Sequence, residues 1–375
     1  MRMDKSRCNT LFRSWLLLLL ACSIGVQGLA QKDVNFLPWN DKHIQYEGRV
    51  GTLADAAALY WSGTMATIRF TGTGASVVLQ DYNGQGWFNI IVDGSKITKI
   101  RIDSVKKQYT LAENLAPGKH TITLFKRTQI HKEYKRGWTR LYGFELAAGS
   151  KVDKPAALPK RKMEFYGNSI TCGHAIEDTT GGDSGASLYE NNYLAYGAVT
   201  ARHYGARYRC IAKSGIGLMV SFGALIMPEM YDRINPFDST STWNFKNYQP
   251  DIVVVNLLQN DAGIFTRPEY EHFKKRFGTT APPGDSVVLA YRRFIAQLRG
   301  RYPKAHIICV LGSMGITANG SLFPVYVQKA VEGLHDAKVY THFFPFMGRA
   351  GHPRVKDQEA MSRSLISFID NTIKW

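Results

Sequence analysis

The sequence predicts an α/β domain built on a parallel sheet and preceded by an all-β domain, and three observations carry that prediction. Apolar residues alternate with period two from about residue 44 to 146; a polar stretch with two prolines follows at 149–162; from 163 onward, strand-like apolar runs alternate with amphipathic helical ones. The 375 residues are enough for two domains of ordinary size. With 45% hydrophobic and 21% charged residues and 34 glycines, the chain reads as globular and rich in turns.

Residues 1–30 have a basic start (Arg2, Lys5, Arg7, Arg13), an apolar run "WLLLLLACSIGV", and small residues ending at Ala30. That is the order of a signal peptide, cleaved after Ala30 and too short to span a bilayer comfortably. The rival is a lipoprotein signal acylated at Cys22; the Leu before the small residue and the apolar "SIGV" after the cysteine count against it. No other run is long enough for a membrane span. Without residues 1–30, which hold four basic residues and Asp4, the net charge falls from +17 to +14. The basic residues are scattered and no nucleic-acid motif is present, so no nucleic-acid partner is expected. Three cysteines remain, Cys172, Cys210 and Cys309. An odd count without Cys-x-x-Cys or paired Cys/His spacing points to buried thiols, not to a disulfide framework or zinc.

Residues 31–148 contain "TMATIRFTG", "ASVVLQDYN", "GWFNIIVDG", "KHTITLFKRT" and "RLYGFELAAG", broken at turn signals such as Asp93-Gly94 and Pro117-Gly118. Short alternating strands of this kind predict a jelly-roll sandwich. Residues 149–162 form the linker. In 163–375, "KMEFYG", "ARYRCIAKSG", "PDIVVVNLLQND" and "AHIICVLGS" read as strands. Between and after them, "NNYLAYGAVTARHYG", "DSVVLAYRRFIAQLRGRYP", "SLFPVYVQKAVEGLH" and "QEAMSRSLISFIDNTI" read as helices.

Ligands of such sheets sit at the carboxyl ends of the strands. Ser169 follows the first strand of the second domain, Gly215 the second, Asn260 and Asp261 the third, and His352 precedes the last helix. A serine hydroxyl needs an imidazole to take its proton, and the oxyanion formed needs donors already aimed at it. The set supplies Ser169 as nucleophile, His352 as base, and the Ser169 N–H, the Gly215 N–H and the Asn260 amide as oxyanion donors. Taken alone, each has a plain reading: Ser169 as a turn or N-cap serine, Asn260-Asp261 as a turn, His352-Pro353 as a helix-start loop. Their combination, in chain order at strand ends, favours a site, with Asp261 bracing its loop. Two rival serines fail on position. Ser184 in "GDSGAS" follows no strand and lies in a loop near the cleft, and at 285–286 Asp285 or Ser286 reads as a helix N-cap.

"GNSITCG", "KSGIG", "QND" and "GHP" resemble four motif blocks of the SGNH hydrolases. "IQYEGRV", "FNIIVDG", "GKHTITLFKRT", "YGFEL" and "EFYGNSITCG" extend the resemblance, over nearly the whole mature chain, to carbohydrate esterase family two. The resemblance implies a jelly roll followed by a three-layer, flavodoxin-like SGNH hydrolase domain. It also implies an exported esterase that removes acetyl groups from plant-cell-wall polysaccharide such as xylan or glucomannan, with no metal and no organic cofactor. Three positions depart from the superfamily pattern: Asn168 replaces the aspartate before the nucleophile, Leu258 replaces a glycine, and Arg349 stands where an aspartate commonly orients the histidine. For the last, the resemblance implies a Ser-His dyad held by a backbone carbonyl. Leu258 would narrow backbone access and alter the acyl pocket. A carbohydrate-binding protein with a decayed esterase site is the alternative, and a lipase-like or aryl esterase ranks third. Trp138, in the polar segment "HKEYKRGWTRLYG", is the exposed aromatic nominated for sugar binding, whereas Trp61, Trp87 and Phe88 are assigned to the core.

Overall fold

In the computed structural model, which describes residues 35–130 and 138–375, the first part of the chain forms two antiparallel sheets. One orders β3 (Val50–Thr52), β4 (Ala57–Leu59), β11 (Thr139–Leu146), β6 (Ala75–Asp81) and β9 (Lys107–Ala112), with β1 (Asn35–Pro38) also on β11. The other orders β12 (Lys151–Val152), β5 (Met65–Gly72), β10 (Gly118–Lys126), β7 (Trp87–Val92) and β8 (Lys96–Arg101), with β2 (Gln45–Glu47) on β5. Period-two patterning does the work here. In β5 and β6 every second residue is buried, and Ile68, Phe70, Val77 and Leu79 are fully enclosed between the sheets. Strand β12 falls inside the stretch read as linker and pairs with β5. The expected signal segment, with Cys8 and Cys22, lies outside the described residues.

The second part is a five-stranded parallel sheet in the order β14 (Arg207–Ala212), β13 (Lys162–Gly167), β15 (Ile252–Asn256), β16 (His306–Leu311), β17 (Val339–Phe343). All five residues of β15 are buried, as a parallel strand covered on both faces requires. The helices that follow are α1 (Ser169–Cys172), α2 (Tyr196–His203), α3 (Met227–Met230), α4 (Gln259–Phe265), α5 (Glu271–Phe277), α6 (Gly284–Arg301), α7 (Phe323–Glu332) and α8 (Val355–Thr372). Helix α6 begins at Gly284 with Pro283 at its N-cap, so neither Asp285 nor Ser286 caps it. The chain leaves β13 for β14 on one flank and returns to β15 on the other. That switch point opens a crevice at the carboxyl edge above β13.

The sandwich and the parallel sheet share a core: Ala58, Tyr60, Trp61 and Ile130 pack in one cluster with Tyr166, Ile211, Val253 and Val255. Arg49, fully buried, crosses between them, donating to the Tyr231 carbonyl, to Glu164 Oε1 at 3.2 Å and to Tyr166 Oη at 3.0 Å. Trp61 and Phe88 are core residues, as expected, and Trp87 is half-buried.

Candidate active site

Strand β13 ends at Gly167, and the chain turns at once into α1. Asn168 caps that helix, its Oδ1 accepting from the Ile170 N–H at 3.1 Å. The acceptor role of the usual aspartate is kept; the price is an Asn168 Nδ2 buried without a protein acceptor. Ser169 is the first helical residue, so its N–H has no intrahelical acceptor. Its Oγ lies 2.7 Å from His352 Nε2.

The other side of that imidazole corrects the expected dyad. His352 Nδ1 is hydrogen-bonded to Asp183 Oδ2, and the His352 backbone N–H donates to Asp183 Oδ1 at 3.1 Å. A carboxylate there fixes the tautomer, with the proton on Nδ1 and the lone pair of Nε2 facing the serine. Asp183 comes from the "GDSGAS" loop, one residue before the rival Ser184. Asp178 shapes that loop by accepting from Thr180 N–H, Thr180 Oγ1 and Ser184 N–H at 2.8, 2.7 and 2.8 Å. Arg354 ties it down, donating to Asp183 Oδ1 at 3.0 Å, to the Ala175 carbonyl at 2.8 Å and to the Gly182 carbonyl. Gly351, at φ 83°, is where the backbone turns past Asp183; a Cβ there would sit 3.6 Å from its Oδ1. Arg349 does not touch the imidazole: it donates to the Ala350 and His352 carbonyls and pairs with Asp357.

Burial would raise the Asp183 carboxyl, but its hydrogen bonds and charge contacts with His352 and Arg354 hold it well below the usual carboxylate range. Burial pushes His352 below its ordinary value against the opposing pull of Asp183, and His174 and Arg354 add to the lowering. The imidazole is therefore neutral near pH 7, the form in which it can accept a proton. Burial also raises the Cys172 thiol well above its ordinary value, and Cys172, Cys210 and Cys309 are all free and buried. A thiolate nucleophile has no support there.

Gly215 and Asn260 sit after β14 and β15, the two neighbours of β13, on the same edge as Ser169. Gly215 takes φ 77°, a left-handed conformation that favours glycine, and its carbonyl accepts from Phe222 N–H at 2.8 Å. Asn260 Nδ2 donates to the Ile216 carbonyl at 2.7 Å, which joins the two loops and leaves the amide its second N–H. Asp261 is fully buried and accepts from the N–H groups of Leu218, Met219 and Val220. It braces the Gly215 loop rather than its own. Leu258 stands in the left-handed region at φ 75°, a strain of about 1 to 3 kcal/mol for a non-glycine residue, and its side chain is enclosed in the core. Fully enclosed, it lends no exposed surface to the cleft that it was expected to narrow.

Trp138 is half-buried, edge-on to Tyr82 at 5.7 Å, with the Arg140 guanidinium 4.2 Å over its ring. The expectation of an exposed platform is corrected: one face is already covered. Phe222, which no sequence motif marks, is 36% exposed and packs its Cβ directly beside Gly215. Among the described residues, no group of His, Cys, Asp and Glu is arranged to hold a metal ion.

Comparison with known proteins fits this geometry. Residues 46–155 match the family model for the carbohydrate esterase 2 N-terminal domain. A solved family two carbohydrate esterase from Clostridium thermocellum, in complex with cellohexaose, is 32% identical, with a TM-score of 0.76 over 88% of this chain and 98% of that one. The chain belongs to carbohydrate esterase family two. This family two protein is thus a carboxylic ester hydrolase with the SGNH-type fold. It is also 33% identical over 84% of its length to the cellulase/esterase CelE of Acetivibrio thermocellus, of which it spans 38%. An acetylxylan esterase / glucomannan deacetylase of Cellvibrio japonicus is 24% identical over 90% of both chains.

Proposed function

We propose that this esterase removes O-acetyl groups from plant-cell-wall polysaccharide, acetylated xylan or glucomannan or their oligosaccharides, through an acetyl-enzyme on Ser169. The observation that carries the reading is the unbroken line from Asp183 through His352 to Ser169 Oγ, with the 2.7 Å contact at its end. Ser169 attacks the acetyl carbonyl while His352 Nε2 takes its proton, and Asp183 balances the imidazolium charge that forms. The Ser169 N–H, the Gly215 N–H and the free N–H of Asn260 receive the oxyanion. His352 returns the proton to the departing sugar oxygen. Water, deprotonated by the same imidazole, then releases acetate. Phe222, exposed beside Gly215, offers an apolar face to the sugar ring that carries the ester.

The choice of acetyl and of plant polysaccharide rests on the names of the relatives, acetylxylan esterase and glucomannan deacetylase. Export rests on the basic, apolar and small-residue order of residues 1–30, and no helix among the described residues is long and apolar enough to cross a membrane. Arg349 and Leu258 motivate the decayed-site alternative; against it, Asp183 supplies a carboxylate to His352, and Leu258 is enclosed in the core. The test is acetate release from acetylated xylan, acetylated glucomannan and a chromogenic acetate by wild type and Ser169→Ala. Turnover by wild type alone is expected; equal turnover by both sinks the mechanism.

A further inference from the structure

One side chain of the β-sandwich reaches the loops that carry the site. Gln129 lies on the connection between β10 and β11 and is buried. Its Oε1 accepts from the Ser214 N–H at 2.7 Å, one residue before Gly215. At the same end of the side chain, Nε2 donates to Glu190 Oε1, while the Gln129 backbone N–H donates to Glu190 Oε2 at 3.0 Å. Glu190, buried as well, faces His174 Nδ1 at 3.2 Å, and Gln129 Nε2 lies at the same distance from that nitrogen. The His174 ring in turn meets the His352 ring edge-on, centroids 4.8 Å apart. One amide therefore touches both halves of the machinery: the loop that presents the Gly215 N–H, and the wall against which the base rests.

The segment bearing Gln129 is itself pinned to the hydrolase domain. Arg127 Nε donates to the Glu190 carbonyl at 3.3 Å, Arg127 Nη2 pairs with Glu177, and the Arg127 carbonyl accepts from Asn192 N–H at 3.0 Å. Around Gly215 the peptide planes are held by Gln129 on the Ser214 N–H, Lys213 Nζ on the Ser214 carbonyl at 3.4 Å, the Ile216 N–H on the Lys213 carbonyl at 3.2 Å, and Phe222 N–H on the Gly215 carbonyl. Of these, only Gln129 comes from the sandwich.

We propose that Gln129 is a positioning residue of the esterase site, which makes the β-sandwich a working part of that site and not an appended module. This rests on the Ser169–His352 reading above. Glutamine suits the place because its amide offers an acceptor and a donor side by side. Leucine would leave a buried N–H and a buried carboxylate unpaired. Glutamate would keep the acceptor for Ser214, and its carboxyl, set against Glu190 and within the field of Lys126, Arg127, His174 and Lys213, would share a proton with Glu190 that restores the missing donor.

The full chain carrying Gln129→Leu, Gln129→Glu, Gln129→Asn or Ser169→Ala is assayed on a chromogenic acetate at a temperature where circular dichroism shows each variant folded. Gln129→Leu is expected to lower kcat by about 100-fold, the scale of an ångström's misplacement, with KM within about threefold. Gln129→Glu is expected to lose less. A folded Gln129→Leu with kcat within twofold of wild type, or variants that raise KM and spare kcat, overturns the proposal; if Gln129→Leu does not fold, Gln129→Asn, whose shorter side chain withdraws the acceptor from the Ser214 N–H, decides on the same criteria. An inactive Ser169→Ala beside an unaffected Gln129→Leu overturns the Gln129 role alone, whereas an active Ser169→Ala overturns the nucleophile and this proposal with it.

Discussion

Replacing Asp183 removes the only carboxylate that meets the imidazole among the described residues and leaves the serine, the base and the oxyanion donors in place. An imidazolium and a carboxylate about 4 Å apart attract by about 4 kcal/mol at an effective dielectric of 20. The His352 and Asp183 side chains are 19% and 34% exposed, and Arg354 already engages Asp183 Oδ1 at 3.0 Å. Solvent screening and that shared charge cut the figure to about 2 kcal/mol, or roughly 30-fold in rate. Loss of orientation adds to this, so Asp183→Ala is expected to lose about 100-fold in kcat. Asp183→Asn is expected to lose more, about 1,000- to 10,000-fold, because an amide N–H facing Nδ1 forces the proton onto Nε2, where it blocks attack. The assay is steady-state hydrolysis of a chromogenic acetate, corrected for the folded fraction. Retention of more than a third of wild-type kcat by Asp183→Ala would refute the triad reasoning.

Other outcomes follow from the same contacts. Because His352 is held below its ordinary value, the acid limb of kcat/KM is expected below pH 6.5, and because Asp183 is what pulls it upward, Asp183→Ala should move that limb to lower pH as read from a pH–rate profile. For stability the sign is worked separately: the depressed Asp183 carboxyl contributes fully above about pH 4 and loses its contribution as pH falls through its folded value, which acid titration by circular dichroism would register. Asp261→Ala leaves three backbone N–H groups without their acceptor in a buried site and is expected to cost about 2 to 4 kcal/mol by urea unfolding, with kcat falling as the Gly215 loop loosens. Arg49→Met leaves Glu164 buried without its cation and is expected to destabilise by about 3 to 5 kcal/mol; an unchanged denaturation midpoint would contradict the account of the interface.

The strand-end residues were legible because parallel strands buried on both faces leave a strong apolar signal, and the residue after each one is placed by that signal alone. Ser169, Gly215 and Asn260 were placed in this way, and His352 by its position just before the last helix. Asp183 was not, because it sits in an irregular glycine-rich loop and meets His352 across 169 residues of sequence, with neither periodicity nor a strand end to mark it. Gln129 was hidden for the same reason: its partners lie in the other domain, and only the docking of sandwich on sheet brings them together. Strand β17 escaped because four of its five residues are only half-buried, which blurs the apolar run. Helix α5, "EHFKKRF", has one buried residue, Phe273, too few to set a 3.6-residue stripe. Trp138 shows the opposite error. A polar sequence neighbourhood implied exposure, but its ring packs on Tyr82 beneath Arg140.

The central claim is that Ser169, among three serines in plausible settings, is the nucleophile. Labelling the wild-type chain with a serine-directed phosphonate, digesting it and mapping the adduct by mass spectrometry tests this directly. One adduct per chain on Ser169, formed in step with loss of esterase activity and absent from Ser169→Ala, is the expected result. An adduct on Ser184 or Ser286 that tracks inactivation, or full inactivation with Ser169 unmodified, would contradict the account.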